Sequence, residues 1–94
     1  MRVDRTNKFV KDYRLMAKRG YPMHELDAVI TTLASGNQLP PKYRDHPLQG
    51  NFDGCRECHI RGDWLLVYEI DGAKLTLLLM RTGTHSDLFD RKRR

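Results

Sequence analysis

The chain has 94 residues, 39% of them apolar, which suits one domain able to build its own core without metal or disulfide staples. No apolar run approaches the roughly 20 residues of a membrane span, and Met1-Arg2-Val3-Asp4-Arg5 lacks the hydrophobic segment of a signal peptide, so a cytoplasmic protein is expected. The net charge of +5 favours a polyanionic or acidic partner, but Arg91-Lys92-Arg93-Arg94 alone supply +4, and residues 1–90 hold thirteen basic against twelve acidic side chains.

Residues 2–5 are compatible with a short edge strand. From Thr6 the apolar residues Phe9, Val10, Tyr13, Met16 and Ala17 recur at spacings of three and four, which predicts a helix capped by Thr6 or Asn7 and ended by Gly20. Lys8, Lys11, Arg14 and Lys18 take the other positions, so this helix has a basic face. A second helix follows Pro22, with Leu26, Val29, Ile30, Leu33 and Ala34 on one stripe and Gly36 past its end. Two short amphipathic helices joined by a tight turn cannot bury their stripes alone, and both need a partner surface.

Residues 36–54 are rich in Gly and Pro and carry no sustained period, which marks a long loop; Leu39, Tyr43, Leu48 and Phe52 are spaced along it as anchors. The period then becomes two. Arg56 to Ile60 alternates, Arg61-Gly62-Asp63 turns, Trp64 to Ile70 is a second strand, Asp71-Gly72 is a hairpin signal, and Lys74 to Arg81 is a third strand. In that strand Leu75, Leu77 and Leu79 share one face. Ser86 to Phe89 reads as a last turn packing back on the sheet. These elements predict an α+β domain over residues 1–90, a helical hairpin packed on a small antiparallel β-sheet with the other sheet face partly open, followed by a basic tail at 91–94.

The chemistry concentrates between His46 and Trp64. His46 lies on the loop feeding the first meander strand, His59 lies within that strand, and His85 follows the third, so one end or face of the sheet is their meeting place. A histidine pair can supply the base and the acid of a phosphodiester transesterification, and Arg81 can stabilise the charge added at phosphorus. A zinc site using Cys55, Cys58, His59 and His46 has suitable ligand types, although a continuous strand points Cys55 and Cys58 to opposite faces. Cys58 is expected to act as a small buried apolar residue.

Four segments, Tyr43-Arg44-Asp45-His46-Pro47-Leu48-Gln49-Gly50, Cys55-Arg56-Glu57-Cys58-His59-Ile60, Asp63-Trp64-Leu65-Leu66-Val67-Tyr68 and Arg81-Thr82-Gly83-Thr84-His85-Ser86-Asp87-Leu88-Phe89, resemble the YafQ branch of the RelE toxin superfamily. The resemblance implies a RelE-like fold and a bacterial type II toxin, a ribosome-dependent endoribonuclease that cuts mRNA in the A site without a metal or other cofactor. It implies a cognate, DinJ-like antitoxin whose acidic or amphipathic C-terminal segment wraps the toxin. The positions it matches are His46, His59, Asp63 and His85 as catalytic residues, and Trp64, Arg81 and Phe89 as substrate contacts. Asp63 would assist proton transfer or orient a histidine, and Phe89 would shape the site. Cys55 departs from the family pattern, as does the tail. The alternatives are a noncatalytic RNA or ribosome binder of the same fold, and a small zinc-binding interaction module.

Overall fold

The computed structural model describes residues 1–89, so the basic tail expected at 91–94 lies outside the described residues. In chain order the elements are β1 (Arg2–Arg5), α1 (Asn7–Lys18), α2 (Met23–Ala34), β2 (His46–Pro47), β3 (Arg56–Arg61), β4 (Trp64–Asp71), β5 (Thr76–Thr84) and α3 (His85–Phe89), with single 3₁₀ turns at Pro41–Tyr43 and Gly50–Phe52.

Thr6 starts α1 from both sides. Its hydroxyl oxygen accepts from the Phe9 N–H at 2.9 Å, and its O–H donates to the Met80 carbonyl at 2.7 Å, which ties the cap to β5. Gly20, at φ +88°, closes the helix in the left-handed conformation, and the Tyr21 N–H reaches back to the Met16 carbonyl at 3.1 Å. The apolar stripes of the hairpin then meet the sheet. Phe9 and Met16 of α1 and Leu26, Val29 and Leu33 of α2 form one buried cluster with Cys58 and Ile60 of β3, Trp64, Leu66 and Tyr68 of β4, and Leu77 and Leu79 of β5. Burial of this apolar surface is the main favourable term of folding.

The five-stranded sheet runs in the order β1-β5-β4-β3-β2. The expected meander β3-β4-β5 forms its antiparallel centre. The sheet is mixed rather than purely antiparallel, because β1 lies parallel to β5, with Val3 opposite Leu77. On the other edge is β2, two residues long and paired to β3 through His46 with Glu57 and Pro47 with Arg56. His-Pro carries no period that would announce a strand, and proline is tolerated there because an edge has no second neighbour to receive its missing N–H.

β5 is shifted relative to its expected span of 74–81. The Asp71 side chain accepts from the N–H groups of Ala73 and Lys74, both at 3.1 Å, and holds the chain in the turn. Leu75 stays in that turn at φ 53° and is 63% exposed, so it leaves the face it was expected to share with Leu77 and Leu79. The strand then runs on to Thr84, with an irregularity where Tyr68 pairs with Leu79 but Val67 pairs with Arg81, leaving Met80 as the extra residue of a bulge. Beyond the bulge Thr82 returns to the helical side, where the Trp64 indole N–H donates to its hydroxyl at 2.9 Å.

β1 follows β5 only to Leu79, and from there α1 takes over the edge. The Asp12 carboxylate accepts from the Thr82 N–H at 3.1 Å and from Nε and Nη2 of Arg81 at 2.6 and 3.1 Å. This carboxylate stands where the next strand's carbonyl would otherwise be. Asp12→Ala leaves a buried strand N–H and a half-buried guanidinium without their acceptor, so we expect a loss of about 2 to 4 kcal/mol of stability. Urea unfolding of the variant beside the wild type checks this, with an unchanged m-value showing that the midpoint shift reports stability.

Candidate functional site

Alternation along β3 separates core from site. Cys58 and Ile60 point into the helical core, so Glu57 and His59 face the opposite side of the sheet. There β2 brings His46 beside Glu57: the imidazole Nε2 lies 3.0 Å from Glu57 Oε1, and Nδ1 lies 3.1 Å from the Pro47 carbonyl oxygen. Both ring nitrogens of His46 are thus engaged, Nε2 by the carboxylate and Nδ1 by the carbonyl oxygen. Glu57 is only 5% exposed, and a buried carboxylate needs such a partner. The His59 ring lies 6.4 Å from that of His46, centroid to centroid, with its Nδ1 3.5 Å from Arg44 Nη2 and 3.4 Å from the Gly62 carbonyl oxygen. Arg44 reaches this place because the 3₁₀ turn before it ends in a left-handed residue, Arg44 itself at φ 47°.

The second half of the site is built by α3. Thr84 and Asp87 form a reciprocal cap: the Asp87 carboxylate accepts from the Thr84 N–H at 2.9 Å, and the Asp87 N–H donates to the Thr84 hydroxyl at 3.2 Å. A Cβ on Gly83 would lie 3.1 Å from Asp87 Cβ and 3.4 Å from a Leu88 methyl, so glycine here lets the helix fold back closely over the strand. Gly83 pairs with Leu65, which pairs with His59, and α3 therefore covers the same sheet face that presents His59. Leu65 and Val67 are buried beneath this face and form its apolar floor. The His85 ring meets Phe89 edge to face at 5.1 Å, and Phe89 meets Phe52 of the preceding loop at 5.6 Å. Among the described residues the His85 imidazole has no hydrogen-bond partner; its main-chain N–H donates to Asp63 Oδ1 at 3.3 Å.

The residues predicted from sequence are thus distributed in three ways. His46 and His59 come together with Glu57. Asp63, His85 and Phe89 come together at α3, and Asp63 contacts the backbone of His85 rather than its ring. Trp64 lies on the opposite face, whereas Arg81, which pairs with Val67 as Val67 pairs with Glu57, shares the sheet face of His46 and His59. Trp64, expected to contact substrate, is 1% exposed on the helical face and packs edge to face on Tyr21 at 5.1 Å, so no base can stack on it. Arg81, expected at the phosphate, spends two of its three nitrogens on Asp12. Sequence reasoning gave Glu57, Arg44 and Asp87 no role in the site, and Phe52 only that of a loop anchor. Only Glu57 had a legible signal, since strict alternation places it on the face of His59.

One ligand atom from each of His46, Glu57 and His59 lies within 4.8 Å of the others, a nitrogen and oxygen donor set that fits a zinc-like or copper-like ion. The cysteines do not join it. Cys58 is fully buried on the other face, and burial pushes its thiol up to about 12, reinforced by Asp45 and Glu57. The zinc set of Cys55, Cys58, His59 and His46 is therefore split across the sheet.

A helical hairpin on a mixed sheet, with histidines, a carboxylate and an arginine gathered on the free face, is the architecture of a small bacterial toxin fold. The model of a family described as the bacterial toxin of type II toxin-antitoxin systems, YafQ, matches residues 1–90. The mRNA interferase toxin YafQ of Escherichia coli K12 is 38% identical over 88 residues, which span 93% of this chain and 94% of that protein. Among solved structures, a metal-bound toxin from Helicobacter pylori superposes with a TM-score of 0.88 at 43% identity, and YafQ in the E. coli DinJ-YafQ complex with 0.87 at 37% identity, each over 95% of this chain and 99% of the other. The chain belongs to the YafQ family of type II toxins.

The cap of α3 has a measurable acid dependence. The Arg19 guanidinium, helped by the Thr84 N–H and hydroxyl and opposed by partial burial, holds Asp87 at about 2, below its ordinary 3.8. A carboxyl lowered by folding contributes stability that is fully present above its unfolded value and is lost as pH falls through the folded one. Asp87→Asn should therefore be less stable than the wild type by about 1 kcal/mol above pH 5, after allowance for solvent screening of the pair. The difference should shrink between pH 4 and pH 2, as measured by denaturant unfolding of both proteins across that range.

Proposed function

We propose that this protein is the toxin of a type II toxin-antitoxin pair, a ribosome-dependent endoribonuclease that cuts mRNA in the A site by metal-independent acid-base transesterification. The observation that carries the reading is the cluster of His46, Glu57 and His59 beside Arg44, on the sheet face that α3 and His85 also cover. In the reaction the ribose 2′-oxygen attacks the adjacent phosphorus and the bond to the 5′-oxygen breaks. The 2′-OH proton passes to a base, and an acid protonates the leaving 5′-oxygen. His85, whose ring is free of hydrogen bonds among the described residues, and His59 are the groups suited to exchange these protons. Arg44, with His46 beside it at Glu57, is suited to stabilise the negative charge of the transition state. Arg81 keeps Nη1 for a phosphate while Asp12 holds its other nitrogens. Asp63 fixes His85 through its main chain, Phe89 with Phe52 walls the site, and Trp64 supports it from the core.

The relatives' names support the activity: the E. coli protein is an mRNA interferase, and a solved complex pairs YafQ with DinJ. For this chain the partner is a cognate antitoxin, DinJ-like, and the basic side chains of α1 suit an acidic segment of it. An apolar groove of about 300 Å³ beside them, lined by Phe9, Val10, Tyr13, Ile30 and Leu79 with Arg5 and Asp27, suits an anchoring side chain. Among the described residues no helix is long and apolar enough to cross a membrane, and a ribosomal target implies a cytoplasmic site of action.

Single-turnover cleavage on programmed ribosomes tests the reading. A 2′-deoxy nucleotide at the cut position should block cleavage there, and His46→Ala, His59→Ala and His85→Ala should each slow cutting of normal mRNA, by about 10²-fold where the residue moves a proton. Undiminished cutting at the deoxy position would rule out 2′-OH attack.

A further inference from the structure

The face of α1 turned toward β5 and α3 carries two charged side chains seven residues apart, Asp12 and Arg19, with the buried Met16 between them. Seven residues make about two helical turns, so both lie on one face. Asp12 meets the edge of β5. Arg19 reaches past the end of that edge to α3, where its Nη1 lies 2.8 Å from Asp87 Oδ2 and its Nη2 3.3 Å from Oδ1. Nη1 also lies 3.6 Å from the Met16 sulfur, so the guanidinium rests against the core rather than waving in solvent. Oδ2 of Asp87 accepts in addition from the Thr84 N–H. One carboxylate thus binds the end of α1, the end of β5 and the first turn of α3, and His85, directly after Thr84, is the residue that begins that turn.

A helix of five residues does not hold itself. Fixing a single turn costs more backbone entropy than its own hydrogen bonds return, and the position of such a turn is decided by what it is tied to. On this side of α3 the tie is the Arg19–Asp87 pair with the Thr84 cap; on the other it is Asp63 at the His85 N–H and the contact of Phe89 with Phe52. Released from the first tie, the turn can pivot on the second, and the imidazole attached to it moves with the backbone. Misplacing a proton-transfer group by about 1 Å can cost 10²-fold in rate.

We propose that Arg19 and Asp87 are positioning residues for RNA cleavage, an ion pair from α1 that fixes the start of α3 and thereby the place of the His85 imidazole. This rests on the reading above that His85 moves a proton in the reaction. An exposed ion pair of purely structural effect would change stability slightly and leave cleavage alone. The two roles differ in what they do once His85 is gone.

The experiment uses the full chain in single-turnover cleavage of mRNA on programmed ribosomes at saturating toxin. Wild type, Asp87→Asn, Arg19→Met, Arg19→Lys and the Asp87→Asn/Arg19→Met double variant are compared, with His85→Gln made alone and combined with Asp87→Asn. Asp87→Asn and Arg19→Met should each lower the cleavage rate constant about tenfold while half-saturation by ribosomes stays within about twofold. The double variant should be no slower than the slower single one, because both remove the same contact, and Arg19→Lys should recover part of the rate. In the His85→Gln background Asp87→Asn should have no further effect. In the free protein the His85 Cε1–H resonance should shift or broaden in both single variants while that of His46 stays in place. Wild-type rates in both single variants overturn the proposal. So does an equal loss with and without His85, or an unchanged His85 resonance. A wild-type protein that leaves mRNA whole, or a His85→Gln variant that cuts at full rate, overturns the underlying reading instead and the positioning role with it.

Discussion

The structure turns on an edge that is not covered by a strand. β1 pairs with β5 as far as Leu79, yet β5 runs on to Thr84, and an open edge strand in a sheet is a site of unpaired N–H groups and unwanted pairing. Here α1 closes it, with Asp12 bonding both the Thr82 N–H and the Arg81 side chain. A neutral acceptor would satisfy the N–H but not the guanidinium, and the carboxylate does both. Because a helix rather than a strand lies along this edge, the end of β5 is free to turn into α3, and the last turn of α1 is near enough for Arg19 to grip Asp87.

The sheet divides labour by its two faces. The helical hairpin buries one of them with Cys58, Ile60, Trp64, Leu66, Tyr68, Leu77 and Leu79. The other has an apolar floor, Leu65 and Val67, under a polar layer of His46, Glu57, His59 and Arg44. Only the buried Glu57 lies where little water screens its contact, while Arg44 and His46 remain exposed to solvent. Glu57 sits at 5% exposure because His46 answers it across the β2–β3 pair, and the two-residue strand β2 matters to the site out of proportion to its length. The tie that holds this loop to the sheet is Asp45, which accepts from Arg56 Nε at 3.0 Å and from the Tyr68 hydroxyl at 2.7 Å, next to His46 in the chain.

Helical periods in 7–18 and 23–34 are written locally, and so is the turn at Asp71-Gly72, which is why the hairpin and the meander were legible in the sequence. The parallel pairing of β1 with β5 joins residues more than seventy positions apart, and no local pattern encodes it. The bulge at Met80 shifts the alternation of β5, so a strict count from Leu77 misassigns every side chain after it. In the site, His46, His59 and His85 were legible as chemistry-bearing residues that a small sheet could gather. Trp64 was readable the other way: counting by twos from it gives Leu66 and Tyr68, a core face. The partner of Arg81 was not readable at all, because Asp12 lies 69 residues away and its helical position gives no sign of a strand edge. Asp87 shows a related limit, since its cap with Thr84 is local but the Arg19 that completes it is 68 residues distant.

What unites these features is a sheet face that gathers histidines, one carboxylate and an arginine, a set unlike the carboxylate cluster that metal-dependent phosphodiester hydrolysis uses to hold hard divalent ions. The chemistry this arrangement supports joins the ribose oxygen to its own phosphate, and such a reaction marks its products. The end groups of mRNA cut on the ribosome therefore test the account most directly. Attack by the 2′-OH leaves a 2′,3′-cyclic phosphate, or the 3′-phosphate formed from it, on the upstream fragment and a 5′-hydroxyl on the downstream one, and mass spectrometry of the two fragments should find those groups. A 3′-hydroxyl upstream and a 5′-phosphate downstream would show that water, not the ribose, attacked the phosphorus, and would contradict the account.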